Sequence, residues 1–385
     1  VRAGVILPIL AVALLAACGT STETPAPKAD SPGKLISKRP LENLDSALTA
    51  AAGSATYVRY ESTSPTGQPI EVSGAVFVPK GEAPAGGWPV VAFAHGTSGV
   101  VSACAPTNSP TLFGSAPSVE AMLAGHRAVV MTNYQGLDGP GQAPYLDTPS
   151  SGYDVLNSVR AAHATGLPLA GDTVLVGASQ GGRAAESAAE TAKAYAPELK
   201  IHGTVLLSPA LELRFVDTVR SRSLNAPDQY LILPYLVAAV RYSHPEYGYD
   251  RVIHGDLLSA APRLESQCTG QVTPDEVAVA NAGNPDEVSF VDDAAAQPFT
   301  DLQNRTNLPK SATNLPTYIA RGDDDRLVVT AWSSAAVTEM CTLGTPVHDL
   351  VVPGGHDAPA AVADRWLGWI SDLFADKPFA STCPS

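Results

Sequence analysis

Nowhere in the 385 residues do like charges gather into a long run, and basic side chains are scarce: 24 Lys and Arg stand against 38 Asp and Glu, a formal charge of −14. That balance excludes a general electrostatic attraction to nucleic acid or to anionic membrane surfaces. No internal repeat is present. Cysteine is limited to five residues, no two of them at C-x-x-C spacing, which argues against a zinc site. Apolar residues at 45% and charged residues at 16% make an ordinary globular balance in a chain long enough to bury a substantial core.

The one long apolar run, "GVILPILAVALLAA", is too short and too broken by Pro8 to span a bilayer comfortably. With Arg2 before it and Leu15-Ala16-Ala17-Cys18 at its end, it resembles a bacterial lipoprotein signal. Residues 1–17 are then a cleaved signal peptide, Cys18 carries lipid, and the lipid is the only membrane contact. An ordinary secretory signal is the alternative, and either way the protein is exported. Residues 18–40, rich in Thr, Ser and Pro, read as a disordered linker. Four cysteines remain in an oxidising compartment, Cys104, Cys268, Cys341 and Cys383, and two disulfides allow three connectivities.

From residue 41 on, short apolar runs alternate with helical patterns, the signature of an α/β fold around a mostly parallel sheet. "TYVRYEST" and "IEVSGAVFVP" read as an antiparallel opening pair. Strands follow at 89–96, 127–134, "TVLVG", 202–208, 316–322 and 347–353, with helices between them. From about 211 to 310 the alternation stops. An interruption of that length is too long for a structureless loop, so it is expected to be a helical cap over the strand C-termini, where ligands bind in open α/β sheets.

The segment "TVLVGASQGGRAAESAAETA" places Gly177-Ala178-Ser179-Gln180-Gly181 between a strand and a helix, the sequence and context of a G-x-S-x-G nucleophile elbow. Gly177 and Gly181 suit a strained turn with no room for side chains on either side of Ser179. A tight turn with a capping serine is the structural alternative. A serine nucleophile needs a histidine base oriented by a carboxylate, and in α/β-hydrolases these follow in the order Ser, acid, His. Of the histidines after Ser179, His202 and His348 begin strands, and His244 and His254 fall in the cap. His356, in "VVPGGHDAP", sits just past the last strand and is the candidate base. The loop "RGDDDRLVV" offers Asp323, Asp324 and Asp325. Its Gly322-x-x-Asp325-x-x-Val328 pattern resembles the acid loop of many α/β-hydrolases and selects Asp325, with Asp324 second. The oxyanion donors are expected to be the backbone N–H groups of Gln180 and Thr97, with Gly96 permitting close approach and His95 buttressing the loop.

"AHGTSG", "NYQGLDGPGQAPYL", "GASQGG", "RGDDDRLV" and "PGGHDAPA" together resemble the secretory lipase family of α/β-hydrolases, the Candida-type lipase A group, over residues 57–374. The resemblance implies an α/β-hydrolase fold with an inserted helical lid and a triad of Ser179, Asp325 and His356. It implies hydrolysis of carboxylic esters with an apolar acyl group, with no metal or organic cofactor. Two departures bear on the substrate: Asp138 stands where the family often has glycine, implying an altered pocket rim, and Gln180 stands where glycine or histidine is common, implying narrowed access. With the cap so placed, a Cys104–Cys268 bridge would tether lid to core and Cys341–Cys383 would pin the C-terminus. "YLILPYLVAAVRY" either lines an acyl tunnel or packs within the cap. A serine peptidase on this scaffold and an inactive fold that only binds apolar ligands are the alternatives. The cap shows no obvious acidic cluster for a peptide amine, and the intact Ser, Asp and His count against the inactive fold.

Overall fold

The computed structural model describes residues 31–269 and 273–384. The expected signal peptide, Cys18 and most of the linker lie outside them. The elements run β1 (Leu35–Pro40), α1 (Ser46–Ala51), β2 (Ala52–Thr63), β3 (Pro69–Pro79), β4 (Trp88–Ala94), α2 (Ala116–Ala124), β5 (Ala128–Thr132), α3 (Thr148–His163), β6 (Leu169–Ala178), α4 (Gln180–Tyr195) and β7 (Lys200–Leu207). Five helices then intervene: α5 (Phe215–Arg220), α6 (Pro227–Arg241), α7 (Gly255–Ser266), α8 (Pro274–Ala282) and α9 (Asp293–Thr306). The chain returns with β8 (Thr317–Gly322), α10 (Thr330–Leu343), β9 (Val347–Val352) and α11 (Ala363–Phe374). Among the described residues no helix is long and apolar enough to cross a membrane.

The nine strands form one sheet in the order β1-β2-β3-β5-β4-β6-β7-β8-β9. β1, β2, β3 and β5 pair antiparallel, and from β5 to β9 every pairing is parallel. The parallel strands read as unbroken apolar runs because both faces are covered. Val91, Phe93, Val174, Val176, Val205 and Leu207 pack on one face against α2 and α11. Their alternating neighbours Ala92, Ala94, Leu175 and Leu206 pack on the other against α4. Each fully buried Val or Leu contributes about 1.5–3 kcal/mol to this core. On α4 the sheet-facing residues are Ala184, Ala185, Ala188 and Ala189, small enough to bring the helix close to β6.

Residues 35–40 depart from the sequence-based expectation of a linker reaching residue 40. They form edge strand β1, paired from Leu35↔Tyr60 to Pro40↔Thr56. "LISKRP" carries no apolar alternation because five of its six side chains are exposed, so its place is set by backbone hydrogen bonds that leave no side-chain pattern.

The five inserted helices stand where the cap was expected and have their own core, including Phe215, Tyr230, Leu236, Val252, Leu264 and Phe299. Buried Arg183 on α4 fastens both ends of the insertion. Its guanidinium donates to the carbonyls of Ala210 at 2.5 Å and Leu211 at 3.1 Å, where the cap begins, and of Thr306 at 2.8 Å, where it ends. The bridges Cys104–Cys268 and Cys341–Cys383 are both formed, the first joining cap to core.

Candidate active site

Ser179 sits between β6 and α4 with φ 55° and ψ −118°, a conformation that costs a non-glycine residue about 1–3 kcal/mol. Both of its peptide groups are held. Its N–H donates to Leu207 O at 2.9 Å, and its carbonyl accepts from Ala210 N–H at 3.0 Å. The flanking glycines are needed for space. A Cβ on Gly177 would lie 2.1 Å from Gly181 O, and one on Gly181 would lie 1.9 Å from Ala94 O. The turn therefore presents the serine at the N-terminus of α4, whose dipole favours developing negative charge.

The loops after β8 and β9 bring an acid to a histidine. His356 Nδ1–H donates to Asp325 Oδ2 at 2.7 Å, while Asp325 Oδ1 accepts from the N–H groups of Leu327 and Val328, each at 3.0 Å. Asp325 is 4% exposed, so those three donors replace the water a buried carboxylate has lost. The run of three aspartates is divided by role. Asp323 accepts from Gly354 N–H at 2.9 Å and thereby joins the acid loop to the histidine loop. Asp324 points outward and pairs with exposed Arg326 at 3.1 Å. Only Asp325 meets the ring.

Ser179, Gln180 and His356 line one cavity of about 360 Å³ under the cap, together with Gly96 and Thr97. Among the described residues no hydrogen bond joins Ser179 Oγ to the His356 ring, a spacing common in catalytic sites without substrate. Of the other histidines after Ser179, His202 lies between Asp172 and Asp376, His254 on Ser289 O, His348 on Ala380 O and His244 beside Ser243, none of them at the cavity.

The loop after β4 carries Gly96 to Ser179: a Cβ on Gly96 would lie 3.6 Å from Ser179 Cβ. The Thr97 and Gln180 N–H groups have no acceptor among the described residues, the state required of oxyanion donors. His95 is 1% exposed, with Nδ1 2.6 Å from Gly96 O and its ring against Tyr134 at 4.4 Å. Burial pushes its pKa down to about 4, so it is neutral at physiological pH and supports the loop.

The cap helix α6 divides its apolar residues by face. Leu231, Ile232 and Tyr235 line the cavity, whereas Tyr230, Leu233, Leu236, Val237 and Val240 pack within the cap. The segment thus lines the cavity with one face and packs within the cap with the other, and Tyr235 does both. Gln180 lines the cavity, with its Oε1 buried and unpartnered. Asp138 does not line it. Asp138 lies at φ 61°, accepting from Tyr57 at 2.6 Å and Ser73 at 3.2 Å, so its effect is on the β2–β3 surface and not on this rim. The left-handed backbone explains why glycine suits that position.

Three contributors carry no sequence signal because their partners are remote. Ser208 donates to His356 O at 2.7 Å, Tyr145 shares a 2.8 Å hydrogen bond with Thr97 Oγ1, and Thr269 donates to Thr97 O.

Comparison with known proteins bears on the fold and the family. Among curated proteins, the chain is 29% identical over 371 residues to a protein of Mycobacterium tuberculosis (strain CDC 1551 / Oshkosh) named a probable inactive lipase, covering 90% of this chain and 79% of that one. Among solved structures it is similar to Candida antarctica lipase A in its closed state, with a TM-score of 0.72 and 16% identity over 91% of this chain and 84% of that one. It is also similar to a ligand-bound form of the rice cell wall degrading esterase LipA from Xanthomonas oryzae, with a TM-score of 0.67 and 20% identity over 90% and 100%. At such identities the likeness is one of fold. Residues 115–382, well over half the chain, match the family model described as secretory lipase, and the chain belongs to the secretory lipase family.

Proposed function

We propose that the protein hydrolyses carboxylic esters with an apolar acyl group. The observation that carries this reading is the buried Asp325 bonded to half-buried His356, which lines the same cavity as the strained Ser179. Ser179 Oγ attacks the ester carbonyl as His356 Nε2 takes the hydroxyl proton. Asp325 holds the ring in the tautomer with the proton on Nδ1 and stabilises the imidazolium. The Gln180 and Thr97 N–H groups receive the oxyanion. The tetrahedral intermediate collapses, His356 returns the proton to the departing alcohol, and an acyl-enzyme remains. Water, deprotonated by His356, then releases the acid and restores Ser179. Leu146, Leu213, Leu231, Ile232 and Leu264 form an apolar wall suited to the acyl chain.

The inactive reading draws on the name of the Mycobacterium tuberculosis relative and on the lack of a Ser179–His356 hydrogen bond among the described residues. Against it stand the complete acid–histidine pair and the two unpaired oxyanion donors. Hydrolysis of p-nitrophenyl butyrate by the wild type but not by Ser179→Ala is the expected result. Equal rates for the two, or no hydrolysis by either, would favour a chain that only binds.

Export, and lipid attachment at Cys18, are part of the same proposal. The two disulfides suit an oxidising compartment. Metabolic labelling with palmitate, lost in Cys18→Ser, tests the anchor.

A further inference from the structure

We propose that Thr269 is a positioning residue for the oxyanion hole: standing in the cap, it holds Thr97 in the orientation the reaction requires. The inference rests on the ester-hydrolase reading, which makes the Thr97 N–H an oxyanion donor.

An oxyanion donor works only if its direction is fixed before charge develops. Within the loop after β4 the His95 ring, with Nδ1 2.6 Å from Gly96 O, holds one side of the peptide group that carries the Thr97 N–H. Gly96 and Gly99 lie on either side of Thr97 and Ser98, Gly99 at φ +141°, and no regular element contains them. The other restraints come from outside the loop. Thr269 Oγ1–H donates to Thr97 O, and Thr269 N–H donates to Ser98 O at 2.9 Å. Thr97 Oγ1 shares a hydrogen bond with Tyr145 OH at 2.8 Å. Carbonyl and side chain on the same Cα are both pinned, which holds the Cα on the other side of the Thr97 N–H. Two of these three outside restraints come from one residue of the cap.

Thr269 is in turn fixed by what precedes it. Cys268 is bonded to buried Cys104, the core residue beside which the loop passes. A Cβ on Gly99 would lie 2.5 Å from Cys104 Sγ and 3.2 Å from Gln267 O. Gln267 O also accepts from Tyr235 OH at 2.8 Å, which ties the segment to cavity helix α6. The cap, the bridge and the oxyanion loop therefore form one strap. If the cap swung away at this edge, Thr97 would lose the Thr269 restraints and keep the His95 one, so the cap is built here as part of the catalytic frame.

Thr269→Val removes the hydroxyl while keeping the branched shape, and Thr269→Ser keeps the hydroxyl. With p-nitrophenyl butyrate, T269V is expected to lower kcat about 10- to 100-fold, short of the loss of a whole donor. KM should stay within about threefold of wild type, and T269S should recover kcat to within about threefold. Affinity for an alkyl boronic acid, whose adduct mimics the tetrahedral intermediate, should fall in T269V in step with kcat/KM, with an unchanged thermal midpoint showing that the fold is intact. The proposal is overturned if T269V keeps wild-type kcat, if T269S is as impaired as T269V, or if boronate affinity does not move. A wild-type protein with no esterase activity would instead overturn the functional reading, and this inference with it.

Discussion

Ser208, the first residue beyond β7, donates its hydroxyl to the backbone carbonyl of His356 at 2.7 Å. Ser208 N–H donates to Ala320 O at 2.8 Å, so the residue is anchored to β8 while it reaches the histidine loop. The base is thus held from two directions, through its ring by Asp325 and through its main chain by Ser208.

Replacing Ser208 by Ala should release one of those holds. A buried hydrogen bond of this kind is worth about 1 kcal/mol to stability, and a loosened base costs more in kcat than in KM. Steady-state kinetics should show kcat lowered several-fold with KM little changed. An equal rise in KM with kcat intact would assign Ser208 to substrate binding.

The three neighbouring aspartates should separate cleanly in an amide series. Asp325→Asn offers His356 a donor in place of an acceptor and favours the wrong tautomer, a change that costs about 10⁴ in kcat in triad enzymes. Asp324→Asn, whose side chain faces solvent beside Arg326, should leave kcat within about twofold. Comparable losses in both variants would contradict the geometry.

Stability should fall as the solution becomes alkaline, because of a charge the fold does not accommodate. Glu186 on α4 is fully buried with both carboxylate oxygens unpartnered, and burial pushes its pKa up from 4.5 to about 8. Between those two values the folded chain retains a proton that the unfolded chain releases. Raising the pH through this window therefore removes stability, with a limiting slope of about 1.4 kcal/mol per pH unit for one proton. Asp154, raised by burial to about 7, acts in the same direction below that pH. His95, lowered to about 4, acts oppositely but only below its unfolded value of 6.5. Denaturant titrations from pH 6.5 to 8 should show wild type losing stability and Glu186→Gln losing less. Parallel curves would show that Glu186 is already ionised in the native state.

Most of the framework could be read from local pattern. The parallel strands are continuous apolar runs, and Ser179, Asp325 and His356 each follow a strand in a glycine- or aspartate-marked loop. What escaped is non-local. Strand β1 is recruited through its backbone, so "LISKRP" gives no sign of it. Ser208 and Thr269 are ordinary hydroxyl residues until the fold sets them against His356 and Thr97. Charges at helical spacing on α4 gave no hint that Arg183 is buried, because its partners Ala210 and Thr306 come from the two ends of the cap.

The central claim is that Ser179 is a nucleophile activated by His356 and Asp325. Treating the protein with diethyl p-nitrophenyl phosphate and locating the adduct by peptide mass spectrometry tests it most directly. The account predicts stoichiometric phosphorylation of Ser179, slowed by orders of magnitude in His356→Ala. An unmodified Ser179 in folded wild-type protein, or modification that proceeds equally well without His356, would contradict it.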